Sequence, residues 1–283
     1  MSYATLILGE SGTGKTCSLR NLDPKKTLLI QPVRKPLPFR AKDWHEGKGG
    51  SVFVCNDARK IVEVMRKAPH EVIVLDDWQY ILASQFMARR NEKSFDKFTD
   101  IGGAGYDLLK CASELGTKKR VYVIAHTQTD DQGNVRIKTL GRLLDEKIVP
   151  EGMFTIVLRT FVDQQGYMFS TQNNGHDTVK SPMGMFTSTL IENDLAEVDR
   201  TICEYYGLEE SEQEQAEPVA FEVSVKVDEL LQAIEEASSI ERLNELCGQI
   251  KTLNLPHESK ERAELLNAYK AKKTAFEDEL NNI

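Results

Sequence analysis

The 283-residue chain lacks any apolar stretch near the ~20 residues that a membrane-spanning helix requires. Its first apolar run is too short for a signal peptide and leads straight into a glycine-rich loop, so no export is expected. Cysteine pairing is also missing. The five cysteines (17, 55, 111, 203 and 247) are odd in number and scattered, with no C-x-x-C and no zinc spacing. They read as free thiols in a reducing cytosol. Aromatic residues make up 7% of the chain and do not cluster in sequence, so no base-stacking platform can be picked out. Positive charge is outnumbered overall, with 36 Lys and Arg against 44 Asp and Glu and a formal net charge of −8, but it is unevenly divided. Residues 1–150 hold 25 Lys and Arg against 18 Asp and Glu, and the remainder holds 11 against 26. Any polyanionic partner is therefore expected on the first part.

What the chain does have begins at residue 9. Gly9-Glu10-Ser11-Gly12-Thr13-Gly14-Lys15-Thr16 follows the apolar run Ala4–Leu8 and precedes Cys17-Ser18-Leu19-Arg20, which reads as the first turns of a helix. This is G-x-x-x-x-G-K-[ST] with a strand before it and a helix after it. Gly9, Gly12 and Gly14 let successive N–H groups point inward at an anion, and the helix N-terminus adds partial positive charge. In this pattern Lys15 reaches the β- and γ-phosphates and the Thr16 hydroxyl sits on Mg²⁺, with Cys17 closing the cradle. ATP and Mg²⁺ are the expected cofactors.

A second motif follows at Val72-Ile73-Val74-Leu75-Asp76-Asp77. Four apolar residues suit a strand buried on both faces, and the ligand crevice of an open α/β sheet lies at the carboxyl ends of its strands. Asp76 is the expected Mg²⁺ partner and Asp77 the candidate for orienting an attacking water. The plain alternative is a solvated strand end. A further buried strand, Val121–Ala125, ends in His126-Thr127-Gln128. A polar residue at that tip, His126 first and then Thr127 or Gln128, is placed to sense the γ-phosphate. Arg136, Lys138 and Arg142 come shortly after and could contact nucleic acid or a neighbouring subunit's phosphates, or simply form a solvated basic loop.

Between these motifs, Thr27–Ile30 reads as a second strand running into a stiff segment with Pro32, Pro36 and Pro38. A third strand is expected over Ser51–Cys55 and helices over Asp57–Lys67 and Trp78–Arg90. A polar connection follows at Asn91–Asp100, then a flexible loop at Ile101-Gly102-Gly103-Ala104-Gly105 and a helix over Tyr106–Leu115. Phe154–Phe161 and Tyr167–Ser170 read as a β-hairpin, and Leu195–Tyr206 as the last helix of the core. The expected fold class is α/β, with a mostly parallel sheet over 1–207, an acidic linker over 208–224 and a small all-α module over 225–283. In that module Val227, Leu230, Leu231 and Ile234 share one helix face. Ser238 with Glu241 fits a capping box ahead of Ile240, Leu243, Leu246 and Ile250, and a third helix carries Leu265, Leu266, Tyr269, Phe276 and Leu280. Three helices in about 60 residues make a marginal core alone, so weak self-packing, dimerisation or a partner is expected.

The motifs GESGTGKT, VIVLDD and VYVIAHTQ together resemble a RecA-type P-loop ATPase core cut to its minimum. Segments 35–39 (KPLPF) and 138–147 (KTLGRLLDEK) are similar to the short RecA-like ATPases of tailed bacteriophages, classed as single-strand annealing or recombination proteins. The C-terminal helices look like a module found on several phage recombination proteins. The resemblance implies Mg²⁺-dependent ATP hydrolysis, single-stranded DNA binding, and annealing or strand exchange aided by a single-strand binding protein reached through the C-terminal region. It also implies a head-to-tail homo-oligomer, ring or filament, in the cytoplasm of a bacterial host. Lys15, Thr16 and Asp76 match the family's motifs. RecA-type proteins place a glutamate just after the second core strand, where this chain has Gln31-Pro32. Asp77 or Glu10 then substitutes, or hydrolysis is slow. A rival reading follows from that gap: a nucleotide-gated scaffold that hydrolyses weakly and recruits a partner through its C-terminal helices. A small-molecule kinase would need an arginine-rich lid, for which the basic residues after 128 are too few.

Overall fold

The computed structural model describes residues 1–47, 49–140, 143–208, 218–253, 255 and 259–281. The chain divides into two compact units, Met1–Glu214 and Gln215–Ile283. Unit one is built on β1 (Tyr3–Gly9), β2 (Thr27–Gln31), β3 (Val52–Val54), α1 (Ala58–Lys67), β4 (Val72–Leu75), α2 (Gln79–Ala88), α3 (Asp96–Glu114) and β5 (Arg120–Thr129). It continues with β6 (Val135–Ile137), β7 (Ile156–Asp163), β8 (Gly166–Ser170), β9 (Leu190–Glu192) and α4 (Leu195–Tyr206).

The strands lie in the order β3-β2-β4-β5-β1-β7-β8-β9, with β6 attached to β5. Pairing is parallel from β3 across to β7 and antiparallel at β7-β8-β9 and β5-β6. The fold is therefore α/β with a mostly parallel mixed sheet, as the buried apolar runs imply. All four residues of β4 and the first six of β5 are buried. One face of the sheet packs Ile7, Leu29, Val74, Tyr122 and Leu158 against Leu195, Val198 and Ile202 of α4. The topology puts β5 between β1 and β4, so the carboxyl ends of the glycine-loop strand and the Asp76 strand flank β5 near His126.

Helix α3 departs from the expected loop at 101–105. It starts at Asp96, inside the expected polar connection, and runs unbroken through Gly102, Gly103 and Gly105. Packing explains this. Ile101, Gly105, Leu108 and Ala112 are buried along one face. A Cβ on Gly105 would lie 2.7 Å from Leu82 Cδ2 and 3.2 Å from Trp78 Cζ2. The glycine that weakens helix propensity permits the close approach of α2, and burial outweighs a propensity cost of about 1 kcal/mol.

His70 lies just before β4 and is buried. Burial, then the nearby Lys119 ammonium, pushes its imidazole down to about 4. The unfolded chain takes up this proton near the ordinary pKa of 6.5, so the stability His70 contributes is complete above about 6.5 and is lost as pH falls towards 4. Urea unfolding should show the wild type losing up to about 3 kcal/mol more than His70→Gln across that window. Parallel pH profiles for the two chains would contradict the assignment.

Unit two consists of α5 (Pro218–Glu235), α6 (Ile240–Thr252) and α7 (Lys260–Asn281). Helix α5 begins inside the stretch 208–224 expected as linker; residues 209–217 lie outside the described ones. Val227, Leu230, Ile234, Leu243, Leu246, Ile250 and Leu265 form its core, with Leu231, Tyr269 and Phe276 against it. Ile240 stands outside that cluster at the first turn of α6, and the side chain of Leu280 is outside the described residues. The cap of α6 is Ser239, whose hydroxyl accepts from the Arg242 amide at 3.2 Å. The box expected between Ser238 and Glu241 is thus displaced by one residue, because the second serine of the pair takes the cap. Among the described residues, no helix is long and apolar enough to cross a membrane.

Candidate functional site

The glycine loop leaves the carboxyl end of β1, where Gly9 stands in register with His126 of β5. The Thr13 hydroxyl bridges the Glu10 carbonyl at 2.8 Å and the Thr160 hydroxyl of β7 at 2.6 Å, which pins the loop to the neighbouring strand. Gly14 has φ +91, and a Cβ there would lie 2.8 Å from Tyr167 Cδ1, so this position requires glycine on both counts. Lys15 is buried, and its ammonium donates to the carbonyls of Gly9 at 2.9 Å and Glu10 at 2.6 Å. Burial pushes that ammonium down, against the pull of Asp77 and Asp76.

The expected helix after the loop is a six-residue 3₁₀ segment, Thr16–Asn21. Ser18 closes it by donating its hydroxyl to the Lys15 carbonyl at 2.6 Å. So short a segment sums few peptide dipoles, so Lys15 and the loop amides supply more of the positive field than the sequence pattern suggests.

Asp76 and Asp77 follow β4 directly. Asp76 is fully buried, and the Thr16 hydroxyl lies 3.1 Å and 3.2 Å from its two oxygens. Burial and the neighbouring Asp77 push the Asp76 carboxyl up, while Lys35 and Thr16 oppose that shift. Asp77 sits in the left-handed region at φ +61, a conformation that costs energy outside glycine and gathers at functional sites. Its Oδ1 faces His126 Nε2 at 3.3 Å and Gln79 Nε2 at 3.5 Å, and its Oδ2 accepts a hydrogen bond from Lys35. Gln79 also accepts the His126 amide at 3.1 Å. One side chain thereby ties the acid pair to β5 at His126, which lies within the strand and not at its tip as expected, because pairing with β6 carries β5 on to Thr129. Burial, then Lys15, pushes the His126 imidazole down, so it is neutral at pH 7 and able to accept a hydrogen bond.

A cavity of about 340 Å³ opens among these groups, lined by residues 11, 12 and 14–17 together with Lys35, Pro38, Asp77, His126 and Tyr167. Residues more than 100 positions apart thus share one wall. The donor chemistry suits an anion: a buried ammonium, a glycine turn and a second ammonium from Lys35. The Thr16–Asp76 pair offers two hard oxygen ligands. Among the described residues, no group of three or more His, Cys, Asp or Glu is arranged so that it could hold a metal ion. A cation here would rest on two protein oxygens, which fits an ion such as Mg²⁺ that keeps most of its shell as water or phosphate oxygen. A larger groove of about 1080 Å³ lies between α1, α2 and α3 and contains none of the candidate residues.

The remaining candidates are placed less centrally. Thr127 and Gln128 pair with Ile137 and Arg136 in the β5-β6 ladder. Arg136 folds back to 3.8 Å from Asp130, and the Lys138 amide donates to the His126 carbonyl at 2.7 Å. Arg142 lies outside the described residues. Sequence reasoning missed Lys35, Gln79 and Tyr167. Lys35 carried a usable signal, as one of two adjacent cations, Arg34 and Lys35, held in a proline-stiffened segment after a core strand. Tyr167 carried none, because only the turn back from β7 brings it to Gly14.

No protein-family model matches the chain, and no curated protein matches it.

Proposed function

We propose that the first unit is a RecA-like P-loop ATPase that binds ATP with Mg²⁺ at residues 9–17 and acts on single-stranded DNA, promoting annealing in phage recombination as a homo-oligomer. The observation that carries this reading is the meeting of Thr16 with Asp76, which are 60 residues apart in sequence, beside a buried Lys15 at the mouth of one cavity. Lys15 would leave the Gly9 and Glu10 carbonyls for the β- and γ-phosphates, and the loop amides would hold the phosphate oxygens. Thr16 and Asp76 would hold Mg²⁺, which when bound neutralises charge on the phosphates. His126, neutral and tied through Gln79, would register the terminal phosphate and pass its loss to the β5-β6 hairpin. Catalysis would consist of positioning and charge neutralisation.

Support for a nucleic-acid partner comes from the connection between α2 and α3. Phe95 is 84% exposed and lies 6.4 Å, centroid to centroid, from Phe98, which is 5.7 Å from Phe86. Arg90 and Lys93 share the connection. An exposed ring beside basic residues suits base stacking and backbone contact. The test is the ATPase rate with Mg²⁺, with and without single-stranded DNA, at two salt concentrations. DNA stimulation that fades with salt is expected, because phosphate contacts release counterions.

One observation favours the scaffold reading of the same site. Gln31 at the end of β2 is buried and carries no carboxylate, and Asp77 is engaged by Lys35 and His126. Of the two candidate carboxylates, Asp77 and Glu10, that leaves the exposed Glu10 to activate water. ATP binding without DNA-stimulated turnover would select that reading.

A further inference from the structure

Lys35 holds a position that the proposed chemistry does not use. Its ammonium lies 3.3 Å from Asp76 Oδ2 and hydrogen-bonds Asp77 Oδ2, so one cation serves both carboxylates. The contact brings residues 41 and 42 positions apart in sequence onto the face where Thr16 meets Asp76. Two features make it a built arrangement. The backbone around Lys35 is stiffened by Pro32, Pro36 and Pro38, and its apolar neighbours Leu37 and Phe39 pack on the core cluster that contains Trp44. The side chain is only partly covered, at 35% exposure, and it lines the same cavity as Gly12, Gly14 and Lys15. A long, flexible lysine on a fixed anchor can swing between two anionic partners.

We propose that Lys35 is a tethered counter-cation of the Asp76–Asp77 pair, which keeps divalent cations off the empty site and moves to the phosphates when nucleotide arrives. It would thus act as a positioning residue that couples divalent-cation binding to nucleotide binding. The inference rests on the nucleotide reading of the cavity. Physically, two adjacent carboxylates attract a divalent ion strongly, and an ammonium within 4 Å of both cancels much of that field. An incoming triphosphate offers the ammonium a competing set of oxygens and uncovers Asp76 for the metal. Metal and nucleotide then bind with positive linkage, each raising the affinity for the other.

The test uses Mn²⁺ as the probe, with free Mn²⁺ followed by its paramagnetic resonance in the full-length chain. Nucleotide-free wild type should bind Mn²⁺ weakly, whereas Lys35→Met should bind it about tenfold or more tightly. Lys35→Arg, which keeps the charge, should remain weak. In ATP titrations without divalent ion, Lys35→Met should lose about tenfold in affinity. Equal Mn²⁺ affinity of wild type and Lys35→Met overturns the proposal. Should Lys35→Met fail to fold, wild type alone decides. Its Mn²⁺ affinity should rise at least tenfold on saturation with ATP beyond that of ATP for Mn²⁺, and no rise overturns the proposal. Failure of the nucleotide reading is separate, because it would show as an absence of ATP binding in every chain, whatever the Mn²⁺ result.

Discussion

Lys15→Ala is expected to lower ATP affinity by about 100-fold. The lysine is buried, and its ammonium caps the Gly9 and Glu10 carbonyls from within the loop. Those contacts are to neutral acceptors, which a phosphate would outcompete, because it adds the attraction of a full negative charge for the ammonium. The short 3₁₀ segment behind the loop offers little compensating dipole. Thermal unfolding with and without ATP and Mg²⁺ reads the effect. Wild type should rise in midpoint with ligand concentration, as binding to the folded state requires. Lys15→Ala should keep its nucleotide-free midpoint within a few degrees and need about 100-fold more ATP for the same rise. A full ligand-induced rise in the variant at the wild-type ATP concentration would move the site elsewhere.

The largest expected loss of stability is at Arg120. This residue opens β5, and its side chain is 9% exposed. It reaches Asp199 of α4 with two hydrogen bonds, at 3.0 Å and 3.1 Å, and Glu71 at 3.3 Å. The Tyr122 hydroxyl donates to the same Asp199. Burial and then the adjacent Asp199 push that phenol well above its ordinary range. The cluster joins the start of β5, the residue before β4 and the helix covering the sheet. Deleting one member of such a buried set strands the others, which costs about 3–5 kcal/mol. That is a large share of the ~5–15 kcal/mol by which a domain is stable. Arg120→Ala should therefore lower the unfolding free energy of the first unit by about that amount in urea. A loss below about 1 kcal/mol would show the cluster to be a dispensable surface network.

The expectations that held were those carried by local pattern. The apolar runs at 4–8, 72–75 and 121–125 are buried strands, and the glycine loop and acid pair follow the first two as expected. Helix α4 matches its expected bounds, Leu195–Tyr206, because Asp194 caps it and Gly207 stops it at φ +63. What local pattern could not give was set by packing between distant segments. Three glycines within 102–105 look like a loop until Leu82 and Trp78 are brought against the last of them, Gly105. The strand β9 has only three residues and exists because β8 offers it an edge. At the site, Asp76 and Asp77 stand out in sequence, but nothing local announces that Lys35 lies across them or that Gln79 ties Asp77 to His126. The aromatic group at Phe86, Phe95 and Phe98 was similarly hidden, because its members come from both sides of a helix boundary.

The central proposal is that the cavity beside residues 9–17 holds a nucleoside triphosphate. Amide hydrogen exchange across the whole chain, with and without ATP and Mg²⁺, tests it most directly. The account predicts slowed exchange concentrated in residues 10–18, at Asp76 and Asp77, and around His126, with residues 227–253 unchanged. Unchanged exchange at 10–18 under saturating ATP, or protection confined to residues 218–281, would contradict it.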